Sequence, residues 1–193
     1  MEHFFNIFYQ LDLFLFKIIN QRFSNQVFDF IFPNITDLHK NKFFIIALMT
    51  ILYFLFKQKY SKKYSFYALL ILILSLAFSD GTGNLLFKQT FQRPRPAENS
   101  ATNAIVRSPF GGYSMISNHA ANTFNIAFYV GSIYPPSQIY FYTFAGLVAF
   151  SRIYNGVHYP LDIIIGALYG VLCSWLFTRF FKKILMKYNE SEK

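Results

Sequence analysis

For 32 consecutive positions, residues 120–151, the chain carries no Asp, Glu, Lys or Arg. A soluble domain is about one-quarter charged, so a gap of that length implies either burial on all sides or contact with lipid. Pro135 and Pro136, within Tyr134-Pro135-Pro136-Ser137, cut the gap in two, because proline removes a backbone donor and restricts the residue before it. Three more charge-free runs cover residues 43–56, 64–79 and 163–178. Buried helices of a soluble protein would show polar faces at helical period, and these runs mostly do not. The reading is an all-α polytopic membrane helical bundle with five transmembrane helices. Runs of 14–16 residues at about 1.5 Å per residue reach only ~21–24 Å across a ~30 Å hydrocarbon layer. Flanking charges are therefore expected at headgroup depth.

Composition narrows the class further. Of 193 residues, 54% are hydrophobic and 14% charged, which is too apolar for a disordered chain. Cys173 is the single cysteine, so a disulfide scaffold is excluded. The net charge of +9 is largely topological. Lys57, Lys59, Lys62 and Lys63 follow the first span, and Arg179, Lys182, Lys183 and Lys187 follow the last. The excess of Lys and Arg in cytoplasmic loops puts both clusters inside. The N-terminus and the loops after spans two and four then lie outside, with Lys40 and Lys42 running against the bias. The cations form no single exposed stripe, so nucleic acid is not implied as a partner.

The first 40 residues form a separate amphipathic segment. His3 to Asn20 is apolar but interrupted by Asn6, Gln10, Asp12 and Lys17, with Phe4, Phe5, Phe8, Phe14 and Phe16 between them. It reads as an interfacial helix, or as an imperfect sixth span. A second short piece, Asn20 to Asp37, is expected to end at Pro33-Asn34. No basic region precedes the apolar stretch and no small-residue cleavage site follows it, so a cleaved signal peptide is not expected. A transmembrane domain over 41–186 and a cytoplasmic tail over 187–193 complete the organisation.

Three clusters carry chemistry, and the topology puts all three at one membrane face. Lys88, Arg93 and Arg95, with Pro94 and Pro96 fixing the backbone, make a rigid positive cradle after span two. Tyr113-Ser114-Met115-Ile116-Ser117-Asn118-His119 opens span three. Ser or Asn before an apolar run is an N-cap signal, and the free amides of a helix N-terminus suit an anion, with His119 beside it. Ser151-Arg152, His158 and Asp162 join spans four and five, with Pro160 at the helix start. An Asp four residues after a His can accept the Nδ1 proton and leave Nε2 free as nucleophile or base. Arg152 supplies a guanidinium fork that matches phosphate. As a metal pair, His158 and Asp162 would need further ligands, and His3 and His39 lie in the N-terminal segment. The set suits phosphoryl transfer through a phosphohistidine: one His attacks phosphorus, Asp orients it, and the second His protonates the leaving alkoxide. Cations hold the equatorial oxygens. With Lys and Arg supplying the charge, no divalent metal or other cofactor is required.

The same three clusters resemble the signature of the type 2 phosphatidic acid phosphatase superfamily, which includes vanadium haloperoxidases and bacterial acid phosphatases. Lys88 through Arg95-Pro96 fits its K-x6-R-P, and Ser151-Arg152, His158 and Asp162 fit S-R-x5-H-x3-D. Ile116-Ser117-Asn118-His119 stands where the family has P-S-G-H. The match covers residues 88–162. It implies His158 as nucleophile, Asp162 as its orienting partner and His119 as general acid. Lys88, Arg95, Ser117 and Arg152 are implied to bind phosphate. Arg93 falls outside the spacing and is left to meet a second anionic group. Asn tolerates left-handed geometry next best after Gly, so the turn at Asn118 is expected to survive with its amide touching substrate.

Asp80, Asn84 and Lys88 recur at i, i+4 and i+8 and are expected on one face of span two. Asp80, costly inside a membrane helix, is expected to steady Lys88, line the substrate entry, or make a packing contact near Gly81 and Gly83. Residues 97–116 should form part of a headgroup pocket, with Gly111-Gly112 lending flexibility and Arg107 adding charge. Headgroup-depth charges suit a lipid phosphate substrate that stays in the bilayer. Phosphatidic acid, phosphatidylglycerol phosphate, undecaprenyl diphosphate and lipid A phosphates are the candidates, handled on the outer face of the cell inner membrane. The alternatives are a lipid-linked phosphotransferase and a non-catalytic phospholipid-binding membrane protein. Polar residues gathered at one end, and not midway through the spans, argue against a transporter.

Overall fold

A computed structural model of the chain describes residues 2–191, with side chains from 7 to 186. The expectations for His3, Phe4, Phe5 and the tail from 187 fall outside those side chains. The described residues form α1 (Glu2–Lys17), α2 (Gln26–Thr36), α3 (Lys42–Lys57) and α4 (Lys62–Gly83). A π-helical turn, Asn84–Lys88, carries α4 into the short α5 (Gln89–Phe91). After a long irregular loop come α6 (Asn118–Ile133), α7 (Gln138–Tyr154) and α8 (Pro160–Ser191). Side-chain caps start several of them. Asn25 Oδ1 accepts from Phe28 N at 3.0 Å, Asn41 Oδ1 from Phe43 N at 2.9 Å, and Ser117 Oγ from Ala120 N at 3.4 Å. Each satisfies a donor that the first helical turn leaves free.

The bundle is apolar outside and polar within. Phe43, Ile46, Phe66, Ile139, Leu168 and Phe180 face outward on four different helices, whereas Ser65, Ser75, Ser79, Asn125, Ser174 and Asp162 are buried. In water this arrangement would be unfavourable; against acyl chains it is the stable one. Two stretches, Lys62–Glu98 and Pro160–Met186, are long and apolar enough to cross a bilayer. The N-terminal α1 shows the same inversion, exposing Ile7, Leu11 and Phe14 while Asp12 is only 4% exposed.

The central helix is α6, which packs against α4, α7 and α8, while α3 leans on α4 and α2 on α7. Ser75 and Asn125 exchange side-chain hydrogen bonds between α4 and α6, Asn125 Nδ2 donating to Ser75 Oγ at 2.9 Å. The α6–α8 approach depends on Gly166 and Gly170, a small-xxx-small pair. A Cβ at Gly166 would stand 2.7 Å from Ser117 O, and one at Gly170 would overlap the Ala121 carbonyl. Leu52, Phe56, Leu72, Tyr129, Ile133 and Phe181 fill the core at one end; Phe16, Ala149, Ile153 and Tyr159 fill it at the other.

Two local expectations are corrected. Pro33 does not end the second N-terminal piece: it lies inside α2, which continues to Thr36, helped by Asn34 Nδ2 donating to Phe30 O at 2.6 Å. A π turn over Asn84–Lys88 widens the helix beyond Asn84, and Asn84 is exposed while Asp80 and Lys88 are half-buried, so the three do not share one face. Replacing Gly170 by Val should destabilise the bundle by roughly 1–3 kcal/mol through overpacking, read as an earlier thermal transition of the detergent-solubilised protein than that of Gly146→Val, where a Cβ meets open space.

Candidate active site

The end of α7 and the start of α8 build a buried polar site. Beyond Tyr154 the chain must turn sharply, and Gly156 takes a left-handed φ of +78° with Ile105 O only 2.5 Å from where a Cβ would be. No L side chain fits there without strain. The turn delivers His158, 2% exposed, directly before Pro160 opens α8. Asp162, fully buried, lies one turn on. Its Oδ2 accepts from Tyr159 N at 2.9 Å and from the Ser114 hydroxyl, and its Oδ1 from Arg93 Nη1 at 2.7 Å. His158 Nδ1 is 3.6 Å from Asp162 Oδ2.

On its other edge His158 Nε2 lies 3.3 Å from Arg95 Nη1. A guanidinium can only donate, which assigns the lone pair to Nε2 and the imidazole proton to Nδ1, facing Asp162. Burial pushes the His158 pKa down to about 4; Asp162 opposes the shift, while Arg95 and Arg152 add to it. The imidazole is therefore neutral at pH 7. Arg95 is itself pinned by three carbonyls: Nε donates to Gly112 O, Nη2 to Gly111 O and Nη1 to Val157 O, all at 2.7–2.8 Å. Gly111-Gly112 thus serves as a cradle for Arg95, not as a flexible hinge.

A cavity of about 670 Å³ opens in front of this layer. Lys88, Arg95, Asn118, His119 and Arg152 line its polar end, so residues from all three sequence clusters converge on it, joined by Asp80. Phe44, Leu48, Leu76, Ile126 and Phe144 form apolar walls. His158 is not on the wall itself; it lies immediately behind Arg95. Asn118 Oδ1, His119 Nε2 and Arg152 Nε are buried with no hydrogen-bond partner among the described residues. Three cations and several unpaired polar atoms at one spot favour an anionic, hydrogen-bonding ligand.

Other predicted residues are placed differently. Ser117 is fully buried with its hydroxyl occupied as the α6 cap. Asn118 is the first residue of α6 in ordinary helical geometry, so no left-handed turn is required there. Asp80 accepts from Asn122 Nδ2 at 3.0 Å. Asn84 is exposed and off the cavity. Arg93 meets the carboxylates of Asp162 and Asp12 and stacks on Tyr159. Arg107 does not add charge to the pocket. It turns away to Asp29, Ser24 and the Tyr154 carbonyl.

Sequence reasoning missed the N-terminal contribution. Thr36 Oγ1 accepts from Arg152 Nη1 at 2.8 Å, and the His39 ring meets the His119 ring edge-on at 4.9 Å. Thr36, Asp37, His39 and Lys40 all line the cavity. Asp12 had one available signal, a carboxylate in a Phe-rich helix; Thr36 and Ser114 had none.

The molecule has recognisable relatives. The profile of the PAP2 superfamily matches residues 65–186. A lipid A 4'-phosphatase of Porphyromonas gingivalis is 32% identical over 135 residues, which is 66% of this chain and 56% of that protein. The chain thus spans little more than half of that relative's length. Among solved structures, the PAP2-type phosphatidylglycerolphosphate phosphatase of Bacillus subtilis aligns with a TM-score of 0.71 at 22% identity, covering 93% of this chain and 88% of its own. LpxE of Aquifex aeolicus aligns with a TM-score of 0.65 at 24% identity, covering 88% and 95%. These likenesses extend the fold into the N-terminal helices, beyond the segment that the profile matches. With more than half of its length matched by the profile, the chain is a member of the PAP2 superfamily.

Proposed function

We propose that this protein is an integral membrane phosphatase that removes phosphate from a lipid phosphate or diphosphate through a phosphohistidine on His158. The observation that carries the reading is the juxtaposition of a neutral, buried imidazole with a cavity that is cationic at one end and apolar along its walls. Lys88, Arg95 and Arg152 take the phosphate oxygens, with the Asn118 amide and the α6 N-terminus beside them. The phosphate draws Arg95 off His158, and Nε2 attacks phosphorus in line as the P–O bond to the lipid breaks. His119, which takes up a proton as the phosphate binds, gives it to the departing oxygen. Asp162 accepts the Nδ1 hydrogen bond and stabilises the imidazolium that forms. Water, deprotonated by His119, then attacks phosphorus; the P–N bond breaks and inorganic phosphate leaves. Cations already positioned where charge develops do the work of transition-state stabilisation.

The apolar walls receive the lipid chain, which favours a substrate drawn from the bilayer. Relatives named for lipid A and phosphatidylglycerolphosphate support that class, with phosphatidic acid and undecaprenyl diphosphate beside them. In this reading α3, α4, α6, α7 and α8 are the five spans, and α1 and α2 lie at the interface over the site. The lysine-rich turn between α3 and α4 sits beside the C-terminal half of α8, where the Tyr60 and Phe181 rings are 5.5 Å apart. Both basic clusters are thus at the end opposite the cavity, which supports a cytoplasmic location for them and an outward-facing site in the inner membrane.

The test is phosphate release by the detergent-purified protein, with EDTA present, from those four lipid phosphates. His158→Ala should lower release by at least about a thousandfold on the preferred lipid, as loss of a nucleophile does. Equal release by wild type and variant on every lipid would overturn the hydrolase reading. Phosphate appearing on an added lipid or sugar alcohol would instead indicate transfer.

Acidity gives a second check. A nucleophile must be unprotonated, and burial holds His158 neutral down to about pH 4. The acidic limb of kcat/KM due to this group should therefore fall as pH drops through about 4, not through the 6.5 of an ordinary imidazole. A pH series of initial rates locates it.

A further inference from the structure

Resting on the phosphatase reading above, we infer that Asp12 and Arg93 form a positioning clamp through which the N-terminal helix fixes the carboxylate of Asp162, and through it the nucleophile. Neither residue lines the cavity, and neither belongs to the motif spacing that places the other groups.

The geometry is closed on every side. Arg93 spans two carboxylates, Nη1 on Asp162 Oδ1 at 2.7 Å and Nη2 on Asp12 Oδ2. Asp12 uses its second oxygen to accept from Leu161 N at 2.8 Å, in the first turn of α8 and adjacent to Asp162. The guanidinium is sandwiched against the Tyr159 ring, 4.0 Å from its centroid. The backbone is engaged as well, since Arg93 O accepts from Ser114 N at 2.8 Å while the Ser114 hydroxyl donates to Asp162 Oδ2. Asp12 is 4% exposed on a helix that turns Ile7, Leu11 and Phe14 outward. A carboxylate buried in that way is retained only where it is paired, and here both oxygens are used.

The chemistry explains why a clamp is useful. Asp162 must hold an imidazole whose proton points at it from 3.6 Å, so a small rotation of the carboxylate changes how well it stabilises the imidazolium. Held by Asp162 alone, Arg93 could swing about its side-chain torsions. Anchored also to Asp12, it cannot. Its position further divides one positive charge between two carboxylates, which leaves Asp162 more of its own field for His158. The charged groups facing His158 are Asp162 from α8, Arg95 from the loop after α5 and Arg152 from α7, with the titratable His119 from α6 beside them. Arg93 reaches it only through Asp162.

The experiment uses the full-length protein in detergent, with Asp12→Asn, Asp12→Glu and Arg93→Gln compared with wild type and His158→Ala. Two readouts are taken. Turnover is measured per active site, counted by alkali-quenched phosphoenzyme, so that misfolded protein is not scored as slow protein. Separately, [13Cε1]-histidine NMR follows the His158 titration without substrate, assigned by its loss in His158→Ala. Asp12→Asn should lower kcat roughly ten- to a hundredfold with KM unchanged, the scale of a misplaced catalytic group, and Asp12→Glu should recover part of it. Arg93→Gln should raise the His158 midpoint by about one unit, because a neighbouring cation is removed and Asp162 is freed. A merely structural role would reduce the count of active sites and leave the rate per site and the midpoint at wild-type values; that result overturns the clamp. The titration stands without any lipid, so it decides the clamp even if His158→Ala turns over as fast as wild type, a result that would overturn the phosphatase reading instead.

Discussion

A single buried carboxylate organises this molecule. Asp162 is fully buried and takes hydrogen bonds from Arg93, Ser114 and the Tyr159 amide, with His158 on its remaining side. An unpaired charge in such a place would be prohibitively costly, so each donor has to come from a separately positioned segment. Arg93 arrives from the loop after α5, Ser114 from the approach to α6, and Tyr159 from the start of α8 itself. The Asp162 carbonyl additionally accepts from Ser117 N at 3.1 Å, tying the cap of α6 to α8. Satisfying one carboxylate thereby fixes the relative placement of three segments that are distant in sequence, and the cavity is a consequence of that placement.

The second constraint is crowding of positive charge. Arg95 and Arg152 both depress the basicity of His158, and Lys88 lines the same cavity wall. Like charges at such a distance disfavour one another, yet here carbonyl oxygens hold them: three for Arg95, with the Thr36 hydroxyl receiving Arg152. Dipoles fixed by the fold neutralise the cations only in part. In the proposed reading a phosphate dianion entering the cavity supplies the rest, while the imidazole beside it stays uncharged.

The outer surface has the opposite requirement. Helices whose Phe, Ile and Leu side chains face outward gain no burial energy from water-driven collapse in a bilayer, so association depends on close packing and internal polar contacts. The α6–α8 seam at Gly166 and Gly170 and the Ser75–Asn125 pair supply both. Polar residues in the interior of this protein are accordingly structural in the middle of the bundle and concentrated for chemistry at one end.

The linear sequence determined the helical architecture, the break at Pro135-Pro136, and the cavity groups Lys88, Arg95, Asn118, His119 and Arg152. Charge-free runs, Pro135-Pro136 and the spacing from Lys88 to Asp162 are local features, and local features are readable without coordinates. The expectations that failed were those that needed a neighbour. Lys88 left the face of Asn84 because a π turn changed the register; Arg107 went to Asp29 because α2 happened to be there; Gly111-Gly112 became a cradle because Arg95 lay opposite. Asp12 and Thr36 joined the site from a segment whose pattern suggested an interfacial helix or an imperfect sixth span, followed by a second short piece. Periodicity and spacing report what each residue can do within its own helix. Which carboxylate meets which guanidinium across 69 or 81 positions depends on how helices pack, and only tertiary structure decides that.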